Sequence, residues 1–261
     1  MFALFAGATG IGFAPILVRW SEAGPSATAF YRVLFALPLL WLLGYRSGPA
    51  EGRLDRPQTR ADLRDLALAG LFFVGDLAVW HWSLQFTTVA NSTLLTNFTP
   101  LFVALGAWSL LGERPQPGVW AGMLMALGGA GLLVEGGEPG SRKQWLGDLL
   151  AVIAAISYAG YILMVKRLRQ RFTTPAIMVW SGLVSCPGFF VVAVVSGDRL
   201  VPGTAVGWMV LVGLAVLCHV GGQALIARGL GGLPASFSSV GLLWQPVVAA
   251  VLAWLVFNEV M

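Results

Sequence analysis

The chain has 261 residues, 57% of them hydrophobic and 11% charged, with a formal net charge of +4. Soluble domains carry about 25% charged residues; so few cannot coat 27.7 kDa with a polar surface, which excludes a water-soluble globule. The basic residues sit in short polar connections rather than on one patch, which argues against nucleic acid as a partner.

Apolar runs close to 20 residues long recur from end to end, and a helix of that length crosses the ~30 Å hydrocarbon layer. The pattern predicts an all-α polytopic membrane protein with nine spans, roughly 2–18, 26–45, 66–86, 89–111, 116–134, 147–165, 174–196, 205–227 and 233–257. The first run begins at Phe2 without a basic leader and is followed by further spans, so it reads as a span and not as a cleaved signal. Pro25 and Pro175 suit the first turn of a helix, where a missing N–H costs nothing. Only the connection 46–65 is long, and it is too small for a soluble catalytic module. Cys186 and Cys218 lie inside apolar runs without metal or redox spacing and read as small buried side chains.

Placing the N-terminus in the cytoplasm puts eleven Lys and Arg residues in inside loops and four, Arg19, Arg142, Lys143 and Arg199, in outside loops. That imbalance predicts a cytoplasmic N-terminus in a multi-pass protein. Arg32, one to two turns below the outer surface in the second span, is expected to snorkel toward it.

An internal repeat crosses this layout. At an offset of 146 residues, Thr99-Pro100 falls on Gln245-Pro246, Trp108 on Trp254, Gly75 on Gly221 and Glu113 on Glu259. The small segment Ala90–Thr93 falls on Ser236–Ser239. Five spans separate the copies, and an odd number inverts the second relative to the first. Inverted repeats around a midplane site are characteristic of secondary transporters. The expectation is two repeats, residues 1–134 with five helices and 147–261 with four, the partner of span 116–134 having been trimmed.

Polar residues inside spans are costly and mark candidate sites. Asp76 lies mid-span, where an unpaired carboxylate costs roughly 2.5–3.5 kcal/mol, and Trp80 continues its helical face. His81 and Gln85 are four residues apart, as are His219 and Gln223; the repeat maps positions 219 and 223 onto 73 and 77, so the same face is polar in both copies. Thr93, Thr96, Asn97 and Pro100 form a stripe that either binds a small polar molecule or joins helices. Pro100 and Pro246 are expected to free a backbone carbonyl and permit a bend. Trp80, Tyr158, Tyr161 and Trp244 lie deep enough to stack on a ligand or fill space, whereas Trp20, Trp41, Trp145 and Trp208 suit an interfacial belt. Glu113 and Glu259 close their helices where the dipole disfavours an anion. They read as clamps between helices, with Arg114 a candidate partner for Glu113.

A small-residue helix, a proline, then a helix ending Gly-Glu resembles the drug/metabolite transporter superfamily, in particular its EamA-type exporters. The residues that carry the likeness are Ala90–Thr93, Pro100, Leu110-Leu111-Gly112-Glu113-Arg114, Trp120-Ala121-Gly122 and Ala29-Phe30-Tyr31-Arg32. The resemblance implies a basket of two inverted five-helix repeats around a central cavity, in the inner membrane. It also places Trp80-His81 and Tyr158–Tyr161 where the family's aromatic amino-acid exporters line theirs. Asn258 stands where the family has the glycine of the second Gly-Glu.

The expected function is a secondary transporter exporting amino acids, aromatic or other neutral ones, or similar small metabolites by alternating access. Its partners would be the small-molecule substrate and the lipid bilayer; a monomer is compatible with the pattern. No cofactor, metal or catalytic residue is expected. A carrier of phosphorylated sugars or nucleotides would need several buried cations. An intramembrane enzyme would need HExxH or a second mid-span acid, and the sequence offers neither.

Overall fold

The computed structural model describes residues 1–47, 54–87, 89–115, 117–132 and 142–257, and in them the chain is helical almost throughout. In lipid a backbone satisfies its own hydrogen bonds only as a helix or a closed barrel. The elements are α1 (Phe2–Gly12), α2 (Ala14–Trp20), α3 (Pro25–Ser47), α4 (Arg60–Ser83), α5 (Val89–Thr96), α6 (Thr99–Leu111), α7 (Pro117–Leu132), α8 (Arg142–Leu168), α9 (Thr174–Val195), α10 (Ala205–Gly213), a π-helical segment (Leu214–Gln223), α11 (Ala224–Leu230), α12 (Ala235–Gly241) and α13 (Trp244–Phe257).

Seven helical stretches among the described residues are long and apolar enough to cross a membrane: Phe2–Trp20, Pro25–Tyr45, Asn91–Leu111, Lys143–Leu168, Thr174–Val195, Ala205–Leu230 and Ala235–Val256. Helices α4 and α7 fall where the third and fifth expected spans lie, with 24 and 16 residues. The outer surface of the bundle is apolar, with Leu110, Met125 and Val195 each more than two-thirds exposed. The interior is rich in alanine and glycine, among them Ala8, Ala36, Ala69 and Ala155. This is the arrangement of helices that approach closely in lipid.

The helices break just ahead of Pro100 and Pro246. Asn97-Phe98 breaks the rod between α5 and α6, and Leu242-Leu243 breaks it between α12 and α13. Pro15 breaks the first rod at Phe13 in the same way, because a proline near a helix start removes the N–H that would continue the ladder. Helix α4 starts six residues ahead of the apolar run that announces it. Thr59 caps it by accepting from the Asp62 N–H at 3.1 Å, while Asp62 accepts from the Thr59 N–H at 3.0 Å.

Asp62 is also paired with Arg171 at 2.7 Å. Burial pushes its carboxyl up, but the bonds from Thr59 and Gln58 and the Arg171 charge hold it below the usual carboxylate range. A folded value below the unfolded one means the ionised form stabilises the fold above the unfolded value, and that contribution fades as pH falls through the folded one. Asp62→Asn is therefore expected to lower the melting temperature at neutral pH and to flatten its fall in acid. An acid limb identical to that of the unaltered protein counts against this role.

The halves of the chain are interleaved. Helix α4 packs most heavily on α8 and α9, α3 on α9 and the π-helical segment, and α1 on that segment and α11. The ends of the bundle are stitched the same way. Asp198, beyond α9, accepts from the N–H groups of Ser26 and Ala27 at 2.7 and 3.0 Å, capping α3. Glu22 accepts from the N–H groups of Gly203 and Thr204 at 2.7 and 3.1 Å and from the Thr204 hydroxyl.

At the opposite end Glu113 accepts from the Ala235 N–H at 2.7 Å and pairs with Lys166 at 3.4 Å; Lys166 also donates to the Leu233 carbonyl. The expected clamp thus exists, with a different partner from the neighbouring Arg114. It joins α6, α8 and α12. Glu259 lies outside the described residues.

Candidate functional site

Where the rods break, a cavity of about 350 Å³ opens between them. Its walls come from α1 and α2, the first turns of α3, the second half of α4, the α5–α6 break, α8, the end of the π-helical segment and the α12–α13 break. Val18, Pro25 and His81, all at rod ends, place it toward the end of the bundle stitched by Asp198 and Glu22.

Six of the expected site residues share this wall: Asp76, Trp80, His81, Asn97, Tyr158 and Gln223. Asp76 and Trp80 lie four residues apart on one face of α4, with His81 beside them. The rings of Trp80 and His81 are 5.3 Å apart between centroids. The His81 Nδ1 is buried and has no hydrogen-bond partner among the described residues. Tyr158 stacks on Tyr161, with centroids 6.4 Å apart and planes 10° from parallel.

The other five lie off the wall. Tyr161 and His219 are buried behind it: Gln223 Nε2 donates to the Tyr161 hydroxyl at 3.0 Å, and Phe73 touches both rings. The face shared by His219 and Gln223 is that of an α-helix. Over Leu214–Gln223 the backbone is π-helical, so residues four apart no longer superpose, and only Gln223 reaches the cavity. Gln85 lies past the end of α4 in a turn, its N–H donating to Trp82 O at 3.1 Å, and is exposed. Thr93 offers its carbonyl to the Thr96 hydroxyl at 3.0 Å and is half-buried between helices. Trp244 is 44% exposed and donates to the Thr9 hydroxyl at 3.1 Å.

Arg32 corrects the sequence expectation. It does not snorkel: it is 9% exposed, lines the cavity, and its Nε has no partner among the described residues. The signal was local, since Thr28 and Ala29, one helical turn before it, line the same wall. Gln245 was also passed over as a site residue; its Nε2 is buried and has no partner among the described residues. It is the repeat mate of Thr99, and both line the cavity.

Chemically the wall carries one cation, one carboxylate, amides, hydroxyls and aromatic rings. Among the described residues no His, Cys, Asp or Glu side chains cluster in a way that could hold a metal ion.

The family model described as EamA-like transporter matches residues 1–135 and 145–261 of the chain. A protein of Archaeoglobus fulgidus named as an uncharacterised transporter is 26% identical over 254 residues, which are 94% of this chain and 83% of that one. A riboflavin transporter of Vibrio cholerae is 27% identical over 185 residues, 70% of this chain; the match spans 60% of that relative's length. A solved crystal structure superposes with a TM-score of 0.82 over 100% of this chain and 88% of its own, at 16% identity, and so shares the fold.

Proposed function

Because the chain belongs to the EamA-like transporter family, we propose that it is a secondary transporter that exports amino acids or similar small metabolites across the inner membrane by alternating access. The observation that carries this reading is the cavity: polar and aromatic side chains from six rods converge on one space inside an otherwise apolar bundle. Ligand pockets of roughly 300–1,000 Å³, mostly apolar with a few placed polar groups, have this make-up.

Residues 1–134 and 147–261 are read as inverted repeats, with the N-terminus cytoplasmic. In that orientation the cavity faces outward, and the Glu113–Lys166 clamp closes the inner end. Since each half packs mainly on the other, the moving bodies are sets of helices drawn from both repeats rather than the repeats themselves.

A carrier of phosphorylated sugars fits the wall less well. Arg32 is the one cation lining the cavity among the described residues, and Asp76 on the same wall would repel a phosphate. Counterflow in proteoliposomes, with labelled neutral amino acids, riboflavin and a sugar phosphate, tests the reading. Saturable exchange of the amino acids is expected; saturable flux of the sugar phosphate or riboflavin alone overturns it.

A further inference from the structure

Two ionisable side chains of opposite kind line one cavity without meeting. Arg32 on α3 and Asp76 on α4 both line the space, yet neither is in an ion pair among the described residues. The Arg32 Nε is buried and unpartnered. A guanidinium cannot shed its charge to escape this position, and a buried charge without a partner is strongly destabilising. A protein has an easy remedy, which is to let the two side chains close on each other. Here no such pair forms among the described residues, and each lacks the partner that the other could supply.

We infer that Arg32 and Asp76 are the two poles of a zwitterion site, Arg32 for a carboxylate and Asp76 for an ammonium. The inference rests on the transport reading above and deepens it. The recognition element is then a cationic and an acidic side chain lining one cavity without pairing, and the ligand class is molecules with both complementary groups on one short backbone. Trp80 and Tyr158 lie on the same wall and receive the side chain, which favours an apolar or aromatic one. Asn97 and Gln245 supply amides for the remaining lone pairs and protons. A ligand missing one charge would leave one pole desolvated and unpaired, and that asymmetry makes polar sites discriminating.

The test is binding to purified protein, measured separately from flux, with three probes that share a phenyl ring: phenylalanine, phenethylamine and 3-phenylpropionate. The unaltered chain is expected to bind phenylalanine at least about tenfold more tightly than either singly charged analogue. Asp76→Asn should erase the preference for phenylalanine over 3-phenylpropionate, and Arg32→Gln the preference over phenethylamine. Misfolding weakens all three probes together and cannot produce these opposite shifts. Equal binding of the three by the unaltered chain, binding of none, or variants that keep the original ranking each overturn the inference. Discrimination without any amino-acid flux would leave the two poles standing and sink the transport reading instead.

Discussion

A chain carrying Gly7→Leu is expected not to yield folded protein. Gly7 of α1 lies against the π-helical segment so closely that a Cβ would stand 2.6 Å from the Gly222 carbonyl oxygen and 2.8 Å from the Ile226 nitrogen. Both obstacles are backbone, so no rotamer change relieves them. The contact is mutual, since a Cβ on Gly222 would meet Gly7 O and Ile11 N at 3.0 Å. The two rods would have to part, and overpacking of this kind costs roughly 1–3 kcal/mol even where neighbours can give. Parting also moves Ile11 and Gly12, which form one wall of the cavity, so surviving protein should bind substrate poorly. Gly213, with open space around its would-be Cβ, is the matched control. Yield and melting temperature by fluorescence-detected gel filtration decide it: Gly7→Leu material that melts like Gly213→Ala refutes the close approach.

The second large effect belongs to the clamp. Glu113→Ala leaves Lys166, whose side chain is 12% exposed, without its carboxylate, and leaves the Ala235 N–H without its acceptor. Removing one partner of a mostly buried pair costs a few kcal/mol because the other charge stays behind. A loss of about 1–3 kcal/mol from the state described here is roughly a 5- to 150-fold shift toward any state in which this end is open. In a background with Cys186 and Cys218 replaced, a cysteine at Ser239 on the cavity wall should then react with an impermeant maleimide from the Glu113 side. Unchanged labelling from that side would mean that the clamp holds the fold without gating the cavity.

Much of the architecture was legible because lipid imposes so simple a rule on sequence: apolar runs of spanning length had to be helices. Prolines 100 and 246 located two of the breaks for an equally simple reason, the absent N–H. What escaped depended on partners distant in the chain. Arg32 sits near a rod end and so reads as a cation reaching for the interface; only the packing of α9 and the π-helical segment on α3 closes that outlet, and it lines the cavity instead. Glu113 has a basic neighbour in Arg114, yet its partner is Lys166, more than fifty residues on. Gln85 was placed by extending a helical period beyond the true end of α4, where Phe86 and Thr87 N–H groups both turn back to Ser83 O at 3.0 Å. The π-helical stretch has no proline, and the polar His219 and Gln223 in Leu214–Gln223 do not reveal the change of helical pitch.

The interleaving of the two halves also bears on biosynthesis. Ribosomes deliver the chain from its N-terminus, so α4 enters the bilayer with Asp76 well before α8 and α9, its main neighbours, have been made. For that interval a carboxylate faces lipid, the insertion machinery or another nascent helix, at a standing cost of roughly 2.5–3.5 kcal/mol on insertion scales. The same delay applies to the polar connection after α3, whose Leu54 pairs with the strand-like turn at Phe172 through bonds to Arg171 O and from Thr173 N–H. Asp76, which lines the mature cavity, is therefore also a residue that makes the unfinished chain dependent on a chaperone or translocon until its second half arrives.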